Sequence, residues 1–237
     1  MTSNYPFYYH IFDNFFEEEK AKKLSQEFPE YNSNVWYCYD NPLENKKTCN
    51  NWYHFGEETY KTISYLNSPQ FIEKIKQITG IENLYPDIGL HGGGLHIHGN
   101  GGKLNVHLDY SIHPKLKLQR KLNLIVYLSE DWDCSWGGSL ELWSHNSEKN
   151  KPKERAVTID NIFNRAIIFD TTQNSWHGFP EPLSCPENKY RKSLAVYYLT
   201  DPPEGTDSRP RALYAPTKNQ ENNPEILNFI QQRQVYG

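Results

Sequence analysis

The run Leu104-Asn105-Val106-His107-Leu108-Asp109 constrains this chain more than any other stretch. It alternates apolar and polar side chains, the signature of a strand with one buried face, and successive side chains of a strand point to opposite faces. His107 and Asp109 therefore share a face and can grip one metal ion. A second histidine from another strand would complete a facial set of two imidazoles and one carboxylate, and His177 in Ser175-Trp176-His177-Gly178 is the candidate. Such a set leaves open coordination positions and suits non-haem Fe(II).

A His-x-Asp triplet recurs by chance, so its weight comes from its surroundings. Both ligands flank predicted strands, and Arg191-Lys192-Ser193-Leu194-Ala195 follows the second histidine. An arginine fork holds a carboxylate through two parallel hydrogen bonds, and Ser193, on the face of Arg191, adds a third. Pro180, Pro182 and Pro186 lengthen the connection to this strand. A slip of one residue would turn Lys192 inward instead, because every side chain changes sides. The Arg-x-Ser pairing favours Arg191.

Composition removes several alternatives. The chain has 237 residues and a net charge of -4, so no strong positive field invites nucleic acid or an anionic membrane. Met1-Thr2-Ser3-Asn4-Tyr5-Pro6 has neither a basic lead nor an apolar run, and no apolar stretch is long enough to span a bilayer. A cytoplasmic location is expected. Cys38, Cys49, Cys134 and Cys185 are scattered and read as reduced thiols, with a Cys38–Cys49 disulfide as the alternative.

In chain order, Asp13 or Asn14 is placed to cap a helix whose first turn carries Glu17, Glu18 and Glu19, ended by Pro29. From Tyr31 to Phe55 there is no period, only aromatics among Asn, Lys and Pro, read as a loop that either walls the substrate or covers the core edge. Helices are expected over Thr59 to Leu66 and from Ser68-Pro69 to Gly80. Gly94 to His98 and the ligand strand, joined by Gly99-Asn100-Gly101-Gly102, read as a hairpin. Lys115, Lys117, Arg120 and Lys121 read as a solvated loop rather than a binding patch. Asn123, Ile125 and Tyr127 share one strand face. Past Thr200, Arg209 and Arg211 reach either the cleft or solvent, and Asn223-Pro224 starts a closing helix.

Several of these motifs, in this order, resemble the 2-oxoglutarate- and Fe(II)-dependent oxygenases, most closely their prolyl-4-hydroxylase-like branch. His107-Leu108-Asp109 resembles the proximal ligand pair, Leu124-Ile125-Val126-Tyr127-Leu128-Ser129-Glu130-Asp131-Trp132-Asp133 the strand and turn that follow, and Trp136-Gly137-Gly138-Ser139-Leu140-Glu141-Leu142 the next strand. Asn164-Arg165-Ala166-Ile167-Ile168-Phe169 leads to the distal histidine, and Arg191 to Tyr198 resembles the co-substrate strand. The resemblance implies a mainly β chain with a double-stranded β-helix (jelly-roll, cupin-like) core and flanking helices, which many short strands with Gly and Asn turns also fit. One domain is expected over 1–237: a supporting segment to about 84, a core over about 85–200 and an extension with a helix over 201–237.

The resemblance further implies that His107, Asp109 and His177 hold Fe(II), that Arg191 and Ser193 bind 2-oxoglutarate with Tyr127, and that Asn123 lines its floor. His98 falls near a position where relatives place a co-substrate-contacting tyrosine. O2 is the other co-substrate, and ascorbate a further cofactor. The implied reaction is hydroxylation of an unactivated C–H bond, either of a prolyl residue in a peptide or protein or of a free amino acid, sugar or other small metabolite. Two rivals stand beside it: a non-catalytic jelly-roll binding module, and a cupin using His96 and His98, although the glutamate that a cupin needs shortly afterwards is missing.

Overall fold

The computed structural model describes residues 1–235, so residues 236 and 237 at the end of the expected extension lie outside it. The amino-terminal part contributes β1 (Thr2–Ser3), β2 (Tyr9–Phe12), α1 (Glu18–Gln26), β3 (Tyr37–Asn41), β4 (Glu44–Cys49), α2 (Glu57–Leu66), α3 (Pro69–Thr79) and β5 (Tyr85–Pro86). There follow β6 (Gly94–His98), β7 (Lys103–Leu108), β8 (Gln119–Tyr127), β9 (Leu140–Asn146), β10 (Lys151–Ile159), β11 (Ala166–Asp170), β12 (Trp176–Phe179), β13 (Arg191–Thr200), β14 (Leu213–Tyr214) and α4 (Pro224–Val235).

The strands form one curled antiparallel sheet in the order β1-β2-β11-β8-β13-β6-β4-β7-β12-β9-β10, with β3 on β4, β5 on β13 and β14 on β7 beside this path, the jelly-roll arrangement expected from the short alternating runs. Period-2 alternation sorts the side chains. Leu95, Ile97, Leu122, Leu124, Val126, Leu194 and Val196 face outward, where Ile63, Leu66, Phe71, Ile72 and Ile75 of α2 and α3 cover them. Their neighbours His96, His98, Asn123, Ile125, Arg191, Ser193 and Ala195 line a cavity of about 610 Å³ inside the curl.

The sequence expectations hold for α3, where Ser68 Oγ accepts from Phe71 N–H and Gly80 closes the helix in the left-handed conformation. They hold for α4, where Asn223 Oδ1 accepts from the amides of Glu225 and Ile226. Neither Asp13 nor Asn14 caps α1, which begins after Glu17. Arg165 Nε donates to Asp13 at 2.6 Å, and Asn164 binds the Phe15 and Phe16 amides, so segment 13–16 is docked on the sheet instead. The cap of α2 comes from outside the helix: the Glu27 carboxylate accepts from the amides of Glu58 and Thr59 at 2.9 and 2.7 Å.

The stretch from Tyr31 to Phe55 is not an irregular loop. It contains the β3–β4 hairpin, and β4 inserts between β6 and β7, pairing Thr48 with His96 and Glu44 with Leu104. The expected β6–β7 hairpin is thereby replaced: each strand pairs with a different half of β4. The Gly99–Gly102 turn remains, but its flanks diverge around the inserted strand. Past β13 the chain returns along the ligand strand, where Leu213 pairs with Leu108 and Tyr214 with His107. None of the four cysteines is in a disulfide. Among the described residues no helix is long and apolar enough to cross a membrane.

Candidate active site

On the inner face of β7, His107 sits directly opposite His177 of β12. His107 Nε2 lies 3.5 Å from Asp109 Oδ1 and His177 Nε2 lies 4.0 Å from Asp109 Oδ2, and one ligand atom from each residue falls within 4.8 Å of the others. All three side chains are buried. The Asn105 carbonyl accepts from His107 Nδ1 at 2.9 Å and the Ser175 carbonyl from His177 Nδ1 at 2.8 Å. A proton fixed on each Nδ1 leaves both Nε2 lone pairs aimed at the common centre. Burial, with the neighbouring His107, pushes His177 down to about 4, so it is neutral and able to ligate at neutral pH. Burial alone would raise Asp109, but Arg120 and the two histidines outweigh it and hold the carboxyl well below the usual range. These residues fit a divalent metal, and the set is the facial one suited to non-haem iron.

Across the cavity, Arg191 is buried and has no carboxylate partner among the described residues. Its Nε donates to the Gly138 carbonyl at 2.8 Å, and its Cζ lies 4.4 Å from the centre of the Phe179 ring and 5.1 Å from that of Tyr127. Lys192 points the other way, donating to the Ser25 carbonyl of α1 at 2.9 Å, so the register places the arginine inside. An unpaired guanidinium in such a place is costly unless an anion joins it. Around it stand Ser193, the unpartnered Tyr127 hydroxyl and both unpartnered ring nitrogens of His98. Asn123 Nδ2 donates to the Tyr197 hydroxyl at 3.1 Å while its Oδ1 is unpartnered. The wall thus offers a cation, hydroxyls, an imidazole and an amide for a small carboxylate. His96 also lines this cavity, but among the described residues no carboxylate joins it and His98 in a metal-binding cluster.

Arg120 was hidden in the basic run that reads as a solvated loop. It is buried, with its guanidinium between the rings of Tyr110 and Tyr197, Cζ 3.5 Å from each ring centre, and Nη1 3.4 Å from Asp109 Oδ2. A bulge makes this possible: Tyr198 pairs with Leu122 but Leu199 with Arg120, so Lys121 is the extra residue and the alternation shifts by one. No period-2 reading of β8 reveals that shift. Of the two late arginines, Arg209 Nε donates to the Asp109 carbonyl at 2.9 Å and Arg211 lines the cavity mouth. Tyr37 to Asn41 of β3 also line it, so this part of the aromatic segment walls the site, while Tyr31, Trp36, Trp52 and Phe55 pack on the core edge.

Residues 93–201 match the family described as the 2OG-Fe(II) oxygenase superfamily. Over 125 residues the chain is 29% identical to prolyl 3-hydroxylase OGFOD1 of Xenopus laevis, a match covering 49% of this chain and 24% of that protein. The chain spans about a quarter of the length of that curated relative. Among solved structures it is similar to a Pseudomonas putida prolyl-4-hydroxylase (TM-score 0.56, 13% identity, covering 81% of this chain and 92% of that one). It is also similar to a Trichoplax adhaerens prolyl hydroxylase in complex with a hypoxia inducible factor oxygen degradation domain peptide (TM-score 0.55, 20% identity, covering 81% and 83%). The match to the 2OG-Fe(II) oxygenase superfamily over residues 93–201 spans the whole buried His107-Asp109-His177 cluster. The fold is similar to that of both prolyl hydroxylases.

Proposed function

We propose that this chain is a hydroxylating dioxygenase that acts on a prolyl residue in a peptide or protein. His107, Asp109 and His177 would hold Fe(II), which couples decarboxylation of 2-oxoglutarate to succinate and CO2 with insertion of one oxygen atom of O2 into a substrate C–H bond. Arg191 binds the distal carboxylate of 2-oxoglutarate by charge and geometry, Ser193 and Tyr127 donate hydroxyl hydrogen bonds to it, and Asn123 and His98 complete the wall. The buried cluster excludes bulk water from the reacting carbon. The observation that carries the reading is one cavity with the three-ligand cluster on one side and an uncompensated buried guanidinium on the other. The prolyl substrate is supported by the prolyl hydroxylase relative and by the fold it shares with peptide-binding prolyl hydroxylases. The free thiols fit a reducing compartment such as the cytoplasm.

The test is an anaerobic titration of the Fe(II)-loaded protein with 2-oxoglutarate, followed by the visible band of a chelated keto acid, in wild type and Arg191→Ala. The reading predicts a band in the wild type and a requirement for at least about tenfold more 2-oxoglutarate in the variant, the scale of a lost charge-assisted hydrogen bond. Absence of the band despite bound iron would refute it. With O2 and ascorbate restored, prolyl peptides should then stimulate succinate formation.

A further inference from the structure

Outside the two carboxylate-handling walls, the cavity mouth carries more positive charge than the proposed reaction uses. The residues lining the cavity include five cationic side chains, Lys46, Arg120, Arg191, Arg211 and Arg233, against three carboxylates, Asp40, Glu44 and Asp109, in a chain whose net charge is -4. Arg120 faces Asp109, and Arg191 awaits 2-oxoglutarate. At the mouth Lys46, Arg211 and Arg233 stand against Glu44 and the exposed Asp40, an excess of one positive charge. Glu44 is bracketed by two cations, Lys46 Nζ at 3.1 Å and Arg233 Nη2 at 3.2 Å, and its own side chain is 2% exposed against 15% and 21% for theirs. The carboxylate is covered while both positive ends keep access to the opening.

Arg211 adds a third cation. It is exposed, lines the opening and has no ion pair or hydrogen bond among the described residues. Its backbone is nevertheless held, because Arg209 beside it is tied to the Asp109 carbonyl and the Ala212 carbonyl accepts from Gln234 Nε2 of α4 at 2.9 Å. The opening is bounded on another side by β3, whose described partner is β4 alone, so its outer edge offers unpaired backbone donors and acceptors beside the exposed Tyr37. A free strand edge next to a deep cavity suits an extended polypeptide, which can add to the edge while one side chain enters.

We propose that the substrate is an acidic, extended polypeptide segment whose carboxylates are held at the mouth by Arg211 and the Lys46–Arg233 pair while the residue to be hydroxylated enters the cavity. This names the substrate class of the proposed hydroxylase and rests on that reading for the reaction, but not for the binding. Against a net negative chain, a local positive mouth steers an acidic segment inward and repels a basic one.

The test is fluorescence anisotropy of two proline-centred peptides of equal length carrying a neutral dye, one flanked by Asp and Glu and the other by Lys, with the protein holding Fe(II) and 2-oxoglutarate under argon. The acidic peptide should bind at least about tenfold more tightly in about 0.05 M NaCl, and the preference should shrink in about 0.3 M NaCl as screening sets in. Arg211→Glu, at an exposed position without partners, should melt with the wild type and lose most of that preference. Equal affinities, a preference unchanged in Arg211→Glu, or no binding of either peptide would overturn the proposal. If the keto-acid band is missing while the preference persists, the oxygenase reading fails and this one stands; a band without the preference sinks this one alone.

Discussion

Arg120 Nη1 stands 3.4 Å from Asp109 Oδ2, a buried carboxylate oxygen that no hydrogen bond satisfies. The guanidinium cannot drift, since the Tyr110 and Tyr197 rings sandwich it and its Nη2 donates to the His91 carbonyl at 2.6 Å. It therefore both compensates the Asp109 charge and holds the carboxylate in place between His107 and His177.

Arg120→Gln is expected to weaken Fe(II) binding by roughly tenfold, the lower end for lost outer partners of a metal ligand. It should also lower metal-free stability by about 3 kcal/mol, because a buried carboxylate loses its countercharge. Competition with a coloured chelator and urea unfolding read the two effects separately. Wild-type metal affinity in the variant would reduce Arg120 to a wall of the substrate side.

What the sequence made legible was local. The two-residue spacing put His107 and Asp109 on one face, the Arg-x-Ser spacing did the same for Arg191 and Ser193, and Ser68-Pro69 and Asn223-Pro224 marked helix starts through contacts within one turn. What stayed hidden depended on distant partners. Whether β6 pairs with β7 or admits β4 is decided by a strand some fifty residues upstream, and a Gly-rich turn fits either outcome. Arg120 turns inward because of one unpaired residue, Lys121, whose ammonium is drawn away to Asp170 at 2.6 Å. The cap of α2 is Glu27, the residue that follows α1. Period-2 reasoning has no term for any of these.

The inner histidines set the acid limit of the metal-free fold. Burial, then the nearby Lys46 and Arg191, pushes His96 down to about 3, and burial with the same two cations holds His98 well below its ordinary value. Both are therefore neutral when folded, while in the unfolded chain they take up protons near pH 6.5. Because the unfolded state binds more protons, this part of the stability is complete above about pH 6.5 and drains away as the pH falls through the folded values. Each group contributes a slope of at most about 1.4 kcal/mol per pH unit in that window. Between about pH 7 and about pH 5, His98→Gln should lose roughly 2 kcal/mol less than the wild type does, read from urea midpoints without metal. Identical pH slopes would mean that His98 is charged or solvated in the fold.

Gly138 positions the Arg191 guanidinium. Its carbonyl accepts from Arg191 Nε at 2.8 Å, its φ is +83°, and a Cβ there would lie 2.8 Å from Arg191 Cδ and 2.9 Å from Leu183 Cδ2. Gly137 provides the matched control, with a φ of +84° but only Leu183 Cδ2, at 3.8 Å, near a Cβ. Alanine at either position meets a positive-φ backbone that side chains rarely adopt, a strain of about 1–3 kcal/mol. Only at 138 does it also push on the arginine stem. Gly138→Ala should raise the 2-oxoglutarate concentration for half-saturation about tenfold, since a fork displaced by part of an ångström loses roughly one charge-assisted hydrogen bond. Gly137→Ala should lose stability while binding 2-oxoglutarate as the wild type does. Equal 2-oxoglutarate affinities in the two variants would show that the exact seat of the Arg191 guanidinium is not what holds the co-substrate, and would shift the clamp to Ser193 and Tyr127.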